Sequence, residues 1–261
     1  MSGVDKARLR AAFSRSAAGY ADRAELQRAV ARRALAWALE ASPAPRRMLD
    51  VGCGPGGLLA SLAASRPGAA VAGADLAPGM ARESARRVPG ALVAVADAEH
   101  LPFADASFDL VVSTSTFQWL PRLDAGLREV RRVLAPGGAF CLALFCGDTL
   151  AELRDAWAEA APGAPGVHRF VPVEDLAGAL RAASLAPERL DAERHVEWHP
   201  SPRDLLRALR AIGAGNAAPG RGGGLGLRRA VLEMERRYAA RHGGGPVPAT
   251  WHVAYALARA V

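Results

Sequence analysis

The sequence predicts an α/β fold: a doubly wound, mostly parallel sheet of seven strands with a helical lid. Five short apolar segments each end in a polar or glycine-containing turn: RRMLDVG, AAVAGADL, ALVAVADA, FDLVVSTST and GAFCLALF. Amphipathic helical stretches lie between them, and this alternation is typical of βαβ units, which form a parallel sheet with helices on both faces. Two later segments, RHVEWH and ATWHVAYALARA, supply the remaining strands.

The elements divide the chain into a core and a cover. Residues 5–40 lack proline and carry apolar side chains at three- and four-residue intervals, so we expect one or two covering helices there. Residues 46–146 hold the five parallel strands and form the expected ligand-binding core. Residues 200–242 form a helical insertion before the last strand, and their glycine-rich part, residues 213–226, is expected to be a flexible loop. We expect residues 1–261 to form a single domain.

Composition and charge exclude several classes of protein. No apolar run approaches the ~20 residues that a membrane span needs, and the N-terminal MSGVDKARLRAAF lacks the apolar part of a secretory signal, so we expect a cytoplasmic protein. The net charge of +7 fits an acidic partner or a general arginine bias; basic residues are not interleaved with aromatic ones as on a nucleic-acid surface. Cys53, Cys141 and Cys146 show no C-x-x-C pair and no histidines at metal-ligand spacing, so neither a disulfide nor a metal is expected.

The stretch MLDVGCGPGG places a glycine-rich loop directly behind the first strand. Asp50 ends the apolar run, and Gly52, Gly54 and Gly56 follow it. A dinucleotide site would favour G-x-G-x-x-G, whereas here the glycines follow an aspartate that would repel a pyrophosphate in a partly dry site. The loop therefore favours a cationic or zwitterionic ligand that lies close to the backbone.

Acids follow the next two strands as well. Asp75 ends the second strand, and its two oxygens suit both hydroxyls of a ribose; Asp97 ends the third and suits the exocyclic amine of a purine. Taken singly, each aspartate would be a turn or cap residue. Because the ends of parallel strands meet at one edge of the sheet, together they predict a nucleoside pocket.

These motifs resemble those of the class I S-adenosylmethionine-dependent methyltransferases. The resemblance covers residues 48–144 and lies in LDVGCGPG, GADLAPGM, ADAEHLPFADASFDLVVS and LREVRRVLAPGGAF. It implies that the glycine loop approaches the methionine part of S-adenosylmethionine while the acids hold its sugar and base. The residues implied in cofactor binding are Asp50, Gly52, Gly54, Gly56, Asp75, Leu76, Met80, Asp97, Ala98 and Ser113.

Outside the core the chain resembles one subgroup, the malonyl-acyl-carrier-protein O-methyltransferases of biotin synthesis. The matching segments are AAFSRSAAGYADRAELQRAVARRAL, STFQWLPRLDAGLREVRRVLAPGGAF, CGDTLAELRDAWAEA, HRFVPVEDL, LLRALRAIGAGN and TWHVAYALARA. The resemblance implies methyl transfer to the free carboxylate of a malonyl thioester. A carboxylate is already ionised at neutral pH, so this transfer needs no general base and relies on alignment in a dry site.

Two residues are candidates for holding the malonyl carboxylate. Tyr20, in the N-terminal segment, is placed among small residues that leave its hydroxyl free to reach the pocket, and Arg169 offers a guanidinium fork. Without the resemblance, Tyr20 would be read as a packing aromatic and Arg169 as a solvated loop residue. The acceptor site is further expected to include Phe117, Gln118, Trp119 and His168.

The expected partner is an acidic, malonyl-loaded acyl carrier protein or malonyl-CoA, and we expect the protein to be a monomer. Arginines on the covering helices are candidates for docking an acidic carrier. They are Arg8, Arg10, Arg15, Arg207, Arg210, Arg228, Arg229, Arg236 and Arg237.

Three other functions remain open from the residues. The first is methylation of another small molecule, such as a quinone-precursor ring carbon or a free dicarboxylate. The second is nucleic-acid methylation, although STSTFQWL differs from the Asn/Asp-Pro-Pro-aromatic motif that clamps an exocyclic amine. The third is cofactor binding without catalysis, which would leave no acceptor pocket.

Overall fold

The computed structural model describes residues 4–164, 166–217 and 225–261, and within them the predicted seven-stranded sheet is present. The strands are β1 (Arg47–Val51), β2 (Ala70–Asp75), β3 (Leu92–Val95), β4 (Phe108–Thr114), β5 (Leu134–Phe145), β6 (Leu185–His199) and β7 (Val247–Ala260). Their spatial order is β3-β2-β1-β4-β5-β7-β6. Neighbours among the first five strands pair in parallel, and β7 runs antiparallel to both β5 and β6. The predicted fold class is confirmed.

Helices cover both faces of this sheet. They are α1 (Lys6–Arg23), α2 (Glu25–Ala41), α3 (Gly57–Ser65), α4 (Pro78–Arg87), α5 (Leu123–Val133), α6 (Ala151–Ala160), α7 (Val173–Ala182), α8 (Pro202–Ala211) and α9 (Leu225–Arg241). Short 3₁₀ turns occur at Phe117–Trp119 and Ala214–Ala217. None of the helices in the described ranges is long and apolar enough to cross a membrane.

The sheet separates two hydrophobic clusters. Successive residues of a strand point to opposite faces, and Leu110 and Val111 of β4 accordingly belong to different clusters. Trp37 of α2 lies in the first cluster and Leu127 of α5 in the second. Because both faces are buried, the central strands read as continuous apolar runs, which is why the sequence predicted them.

The N-terminal segment has two separate roles. Helix α2 packs on the face of the sheet, where the Ala34 carbonyl accepts a hydrogen bond from Cys141 Sγ at 3.2 Å. Helix α1 instead crosses the carboxyl edge of the strands, and its Ser14 Oγ accepts the Gly79 N–H of α4 at 3.2 Å. Residues 5–40 therefore form one helix that crosses the strand ends and a second helix whose first half, including Gln27 and Arg28, faces the loop after β1.

The insertion before β7 contains two helices that pack in different places. Helix α8 packs beside α1, and a side chain at Gly213 would lie 2.7 Å from the ring of Phe13. Helix α9 packs on α6, where Arg237 forms an ion pair with Glu159 at 3.4 Å. Residues 218–224, the centre of the predicted glycine-rich loop, lie outside the described residues. Helix α8 and the 3₁₀ turn that follows it therefore lie against α1.

Candidate active site

The loop after β1 turns sharply at the carboxyl edge of the sheet. Gly52 and Gly54 have φ angles of +77° and +53°, a region that favours glycine. Gly52 must also be small, because a Cβ there would lie 1.9 Å from Thr116 Oγ1. A Cβ on Gly54 would meet no atom within 4 Å, and Gly54 lines a cavity. A side chain at Gly54 would therefore meet no atom of the described residues and would take up space at the wall of the cavity.

Asp50 of β1 is a buried carboxyl group without a partner. It is 1% exposed, and neither oxygen has a hydrogen-bond partner among the described residues. Burial raises the pKa of Asp50 to about 8, the charge of Asp75 adds to this, and the amide of Leu59 opposes it in part. Because an unpaired buried polar group is costly, Asp50 is well placed for a positively charged ligand group.

Asp75, at the end of β2, holds the glycine loop in place. Its Oδ2 accepts the Gly54 N–H at 2.9 Å and its Oδ1 accepts the Ala77 N–H at 2.8 Å. Burial raises the pKa of Asp75 to about 6, although these two amides act in the opposite direction. Each carboxylate oxygen keeps a further lone pair, so the side chain can still accept two hydroxyl groups.

Asp97, after β3, is tied to the first turn of α1. Lys6 Nζ lies 2.5 Å from Asp97 Oδ2 and 2.9 Å from Glu99 Oε2, and Asp97 Oδ1 accepts the Glu99 N–H at 3.0 Å. Burial opposes ionisation of Asp97, but the hydrogen bonds from Lys6 and from the Glu99 amide outweigh it and lower the pKa of Asp97. This carboxylate is therefore ionised at neutral pH.

Three cavities meet at this edge of the sheet. The strand-end cavity follows β1 to β3 and is lined by residues that include Asp75, Leu76, Met80, Asp97 and Ala98. The loop cavity lies between the glycine loop and α2 and is lined by residues that include Asp50, Gln27, Arg28 and Arg32. The aromatic cavity lies beside α1, with walls that include Phe13, Trp119, Phe145, Phe170 and Trp251.

Tyr20 and Ser115 line all three cavities. Burial, together with the charge of Asp75, raises the pKa of Tyr20, so its hydroxyl stays neutral and can donate a hydrogen bond. Ser115 follows β4 with a φ of +55°, and its Oγ is buried without a partner in the described structure. Gln27 of α2 lines the loop and aromatic cavities. The junction of the cavities thus presents neutral polar groups.

The aromatic cavity has a distinctive chemistry. Its polar side chains are Tyr20, Gln27, Ser115 and Gln118. Among the described residues that line it, none is an aspartate, glutamate, histidine, lysine or arginine. The cavity can therefore exclude water and orient a polar group by hydrogen bonds, but these residues offer no general base at neutral pH.

Most of the residues predicted to bind the cofactor line the strand-end or loop cavity, but Gly56 and Ser113 do not. A Cβ on Gly56 would lie 2.8 Å from Ser84 Cα, so glycine is needed there for packing of α3 against α4. Ser113 is fully buried, and its Oγ donates to the Val51 carbonyl at 2.7 Å. The structure gives both residues a role in supporting the loop and strands.

Of the residues predicted around the acceptor, some line the aromatic cavity and others do not. Gln118 and Trp119 line the aromatic cavity, whereas Phe117 is buried in the core on the other side of its 3₁₀ turn. The His168 ring nitrogen Nε2 lies 2.8 Å from the Gln118 carbonyl oxygen, and the ring packs between Trp119 and Phe170 at centroid distances of 5.3 and 4.9 Å. His168 therefore supports the cavity wall from behind.

Arg169 lies apart from Tyr20. Its neighbour Phe170 is 8% exposed and lines the aromatic cavity, whereas Arg169 is exposed and lines a separate surface cavity with Arg154 and Arg194. Phe170 lines both cavities, whereas Tyr20 does not line the surface cavity and Arg169 does not line the aromatic one, so the structure does not bring the two predicted carboxylate ligands into one cavity.

Sequence reasoning missed three polar residues of this site. Lys6 is in the first turn of α1 and resembles any solvated helix cation, and Ser115 is hidden in a run of hydroxyl residues. Gln27 carried a usable signal, since it is a polar residue spaced three or four positions from Ala24 and Ala31, which also line the loop cavity.

The chain is similar to named methyltransferases along nearly its whole length. Residues 49–142 match a family model described as a methyltransferase domain. A malonyl-[acyl-carrier protein] O-methyltransferase of Geobacter sulfurreducens is 43% identical over 265 residues, covering 98% of this chain and 99% of that protein. The protein of the same name from Halorhodospira halophila is 40% identical, covering 97% of this chain and 87% of that one.

Solved structures share the fold at lower identity. The 1,6-didemethyltoxoflavin-N1-methyltransferase of Burkholderia thailandensis, solved with S-adenosylhomocysteine, has a TM-score of 0.56 and 19% identity, covering 97% of this chain and 87% of that one. The geranyl diphosphate C-methyltransferase of Streptomyces coelicolor, also with S-adenosylhomocysteine, has a TM-score of 0.54 and 15% identity, covering 87% and 78%.

Proposed function

Because this chain belongs to the family of malonyl-[acyl-carrier protein] O-methyltransferases, we propose that it methylates the free carboxylate of a malonyl thioester on an acyl carrier protein. The methyl donor is S-adenosylmethionine. Such a methyl ester would mask the charge of the malonyl group at the start of biotin-precursor synthesis, the step that the sequence resemblance implies.

The residues of the strand-end and loop cavities fit this cofactor. The buried carboxyl group of Asp50 has no hydrogen-bond partner among the described residues and suits the ammonium of the methionine part, whose positive charge would favour the ionised form of the acid. Gly54 leaves the loop backbone accessible. Asp75 keeps acceptor capacity for the ribose hydroxyls, and Asp97 is ionised and lies near Ala98 for the base. Leu76 and Met80 supply apolar walls for the purine ring.

When bound, the cofactor supplies a methyl group to a carboxylate oxygen, whose lone pair forms the C–O bond as the C–S bond breaks, leaving a neutral thioether and no proton to move. The task of the protein is then to align the acceptor and to exclude water. The aromatic cavity adjoins the cofactor residues through Tyr20 and Ser115 and has mostly apolar walls. We place the malonyl group there.

The composition of the aromatic cavity is the observation that carries this proposal. Methylation of a ring or chain carbon usually requires removal of a proton by a base, whereas an ionised carboxylate reacts without one. The described residues that line the cavity include no such base. They offer instead the neutral donors Tyr20, Gln27 and Ser115, which can hold one carboxylate oxygen while the other reacts.

The rim of the cavity supports docking of an acidic carrier protein. Helix α1 and Ile212, the residue that caps the end of α8, line the aromatic cavity, and Arg10, Arg15 and Arg210 are exposed on these two helices. No acidic side chain of the described residues lies within ion-pair distance of these three, whereas Arg8 and Arg207 pair with acids of their own helices. We infer that the three unpaired arginines meet the carrier.

A labelling experiment tests the proposal. The protein is incubated with methyl-labelled S-adenosylmethionine and malonyl-carrier protein, malonyl-CoA, acetyl-carrier protein or free malonate. We expect label in the malonyl thioesters and none in the acetyl control, which lacks the carboxylate. Label in free malonate alone would favour a dicarboxylate methyltransferase, and cofactor binding without labelling of any acceptor would contradict the proposed substrate.

A further inference from the structure

Lys6 is the cation at the centre of an acidic cluster on the strand-end cavity. Its Nζ bridges Asp97 and Glu99 at 2.5 and 2.9 Å, and Lys6 itself lines the cavity. The Glu99 side chain is only 5% exposed and also accepts the Arg122 N–H at 3.0 Å. The two carboxylates lie two residues apart after β3, whereas Lys6 comes from the start of α1.

This cluster differs from the ion pairs on the outer surface of the protein. Exposed pairs contribute little because water screens them. Here the Glu99 carboxylate is buried and the lysine is 27% exposed. Loss of the lysine would leave Asp97 without its ion-pair partner, whereas Glu99 would keep the Arg122 guanidinium at 3.5 Å. Lys6 thus has a larger influence on Asp97 than a surface lysine would have.

We propose that Lys6 is a positioning residue for purine recognition: its ion pair holds the Asp97 carboxylate in a fixed orientation, so that Asp97 accepts a hydrogen bond from the exocyclic amine of the cofactor's base. This inference rests on the proposed function. Lys6 occupies Asp97 Oδ2 and the Glu99 amide occupies Oδ1. Each oxygen keeps one lone pair, and both are fixed in direction.

The same lysine links the base-binding end of the site to the acceptor end. Helix α1 begins at Lys6 and carries Phe13 and Tyr20, which line both the strand-end and aromatic cavities. The helix is also held at its middle by Ser14, which accepts the Gly79 N–H. A base that engages Asp97 therefore strengthens the anchor of the helix that walls the acceptor cavity.

Calorimetry with two nucleosides tests the role of Lys6. S-adenosylhomocysteine carries the exocyclic amine, and S-inosylhomocysteine carries a carbonyl oxygen in its place. The parent protein should bind the adenosine compound at least tenfold more tightly. In Lys6→Gln we expect about tenfold weaker binding of the adenosine compound and less than twofold change for the inosine compound. Only the adenosine compound has the exocyclic amine that donates a hydrogen bond to the charged Asp97.

Arg8→Gln is the matched control, since Arg8 is on the same helix and, among the residues that the structure describes, forms an ion pair only with the exposed Asp5 at 3.2 Å. It should bind both compounds like the parent. A second readout is amide hydrogen exchange of α1, which S-adenosylhomocysteine should slow in the parent and in Arg8→Gln but much less in Lys6→Gln.

Each result decides the proposal. An equal loss of affinity for both compounds in Lys6→Gln would mean that Lys6 only supports the fold. An unchanged preference for the adenosine compound would mean that Lys6 has no role in purine recognition. Either result would overturn the positioning role while leaving the proposed methyl transfer intact. Failure of the parent to bind S-adenosylhomocysteine at all would overturn both proposals.

Discussion

Replacement of Asp50 by asparagine should stabilise the free protein while weakening cofactor binding. Asp50 is buried, no described residue forms a hydrogen bond with its carboxyl oxygens, and its pKa rises from an ordinary value of 3.8 to about 8. A carboxyl group with a raised pKa contributes stability below pH 3.8 that is lost as the pH rises toward 8. Each pH unit in this window costs about 1.4 kcal/mol, so at pH 7 the loss is about 4 kcal/mol.

Asparagine has nearly the shape of the protonated acid and avoids this cost. The free energy of unfolding of Asp50→Asn, measured with urea, should therefore exceed that of the parent by up to about 4 kcal/mol at pH 7 and by little near pH 4. Calorimetry should show roughly 10- to 100-fold weaker binding of S-adenosylmethionine, since a charge-assisted contact with its ammonium is lost.

Asp109→Asn provides a control of opposite sign. Burial opposes ionisation of Asp109, but hydrogen bonds from Arg47 and from two backbone amides outweigh it and lower its pKa, so this acid stabilises the protein above its ordinary pKa. Its asparagine variant should be less stable than the parent at pH 7, with the difference shrinking in acid. A stability gain in Asp50→Asn that does not grow with pH would refute the reasoning for the buried carboxyl group.

Further variants separate the parts of the site. Asp75→Ala should weaken S-adenosylmethionine binding at least tenfold in calorimetry, because the ribose acceptors and the Gly54 contact are lost; unchanged affinity would contradict the cavity assignment. Gly54→Ala should destabilise the protein by about 1–2 kcal/mol, because alanine is strained at a φ of +53° even though its Cβ meets no atom of the described residues, and it should also reduce cofactor affinity; equal affinity would mean that the ligand lies elsewhere. Tyr20→Phe should lower kcat/KM for malonyl-CoA roughly tenfold with unchanged S-adenosylhomocysteine affinity, and parental kinetics would remove its hydroxyl from the acceptor site. Arg169→Ala should leave the KM for malonyl-CoA within twofold of the parent, because Arg169 lines a separate cavity, whereas a tenfold rise would place it at the carboxylate.

The fold was largely predictable because the central strands are buried on both faces and therefore appear as apolar runs. Strand β6 shows the limit of this signal. The sequence predicts only RHVEWH, residues 194–199, yet the strand begins at Leu185. Its first part, LAPERLDAE, is polar because β6 is an edge strand with many exposed side chains. Pairing with β7, a long-range contact, extends it.

The candidate site was predictable where its side chains lie at the ends of the parallel strands. Asp50, Asp75 and Asp97 end successive strands, and parallel strands bring such ends together. The spacing of the glycines does not reveal which one borders a cavity. In the structure Gly54 lines the strand-end cavity, whereas a Cβ on Gly56 would meet Ser84. The contact between Lys6 and Asp97 joins residues 91 positions apart, which no local pattern specifies.

The position of the transferred methyl group tests the central claim most directly. A malonyl thioester offers a carboxylate oxygen and an acidic methylene carbon, and methylation at carbon requires a base that the described residues lining the aromatic cavity do not include. The product formed from malonyl-carrier protein and ¹³C-methyl S-adenosylmethionine is examined by NMR. We expect only the signal of a methyl ester. A methyl group bonded to carbon would contradict the account.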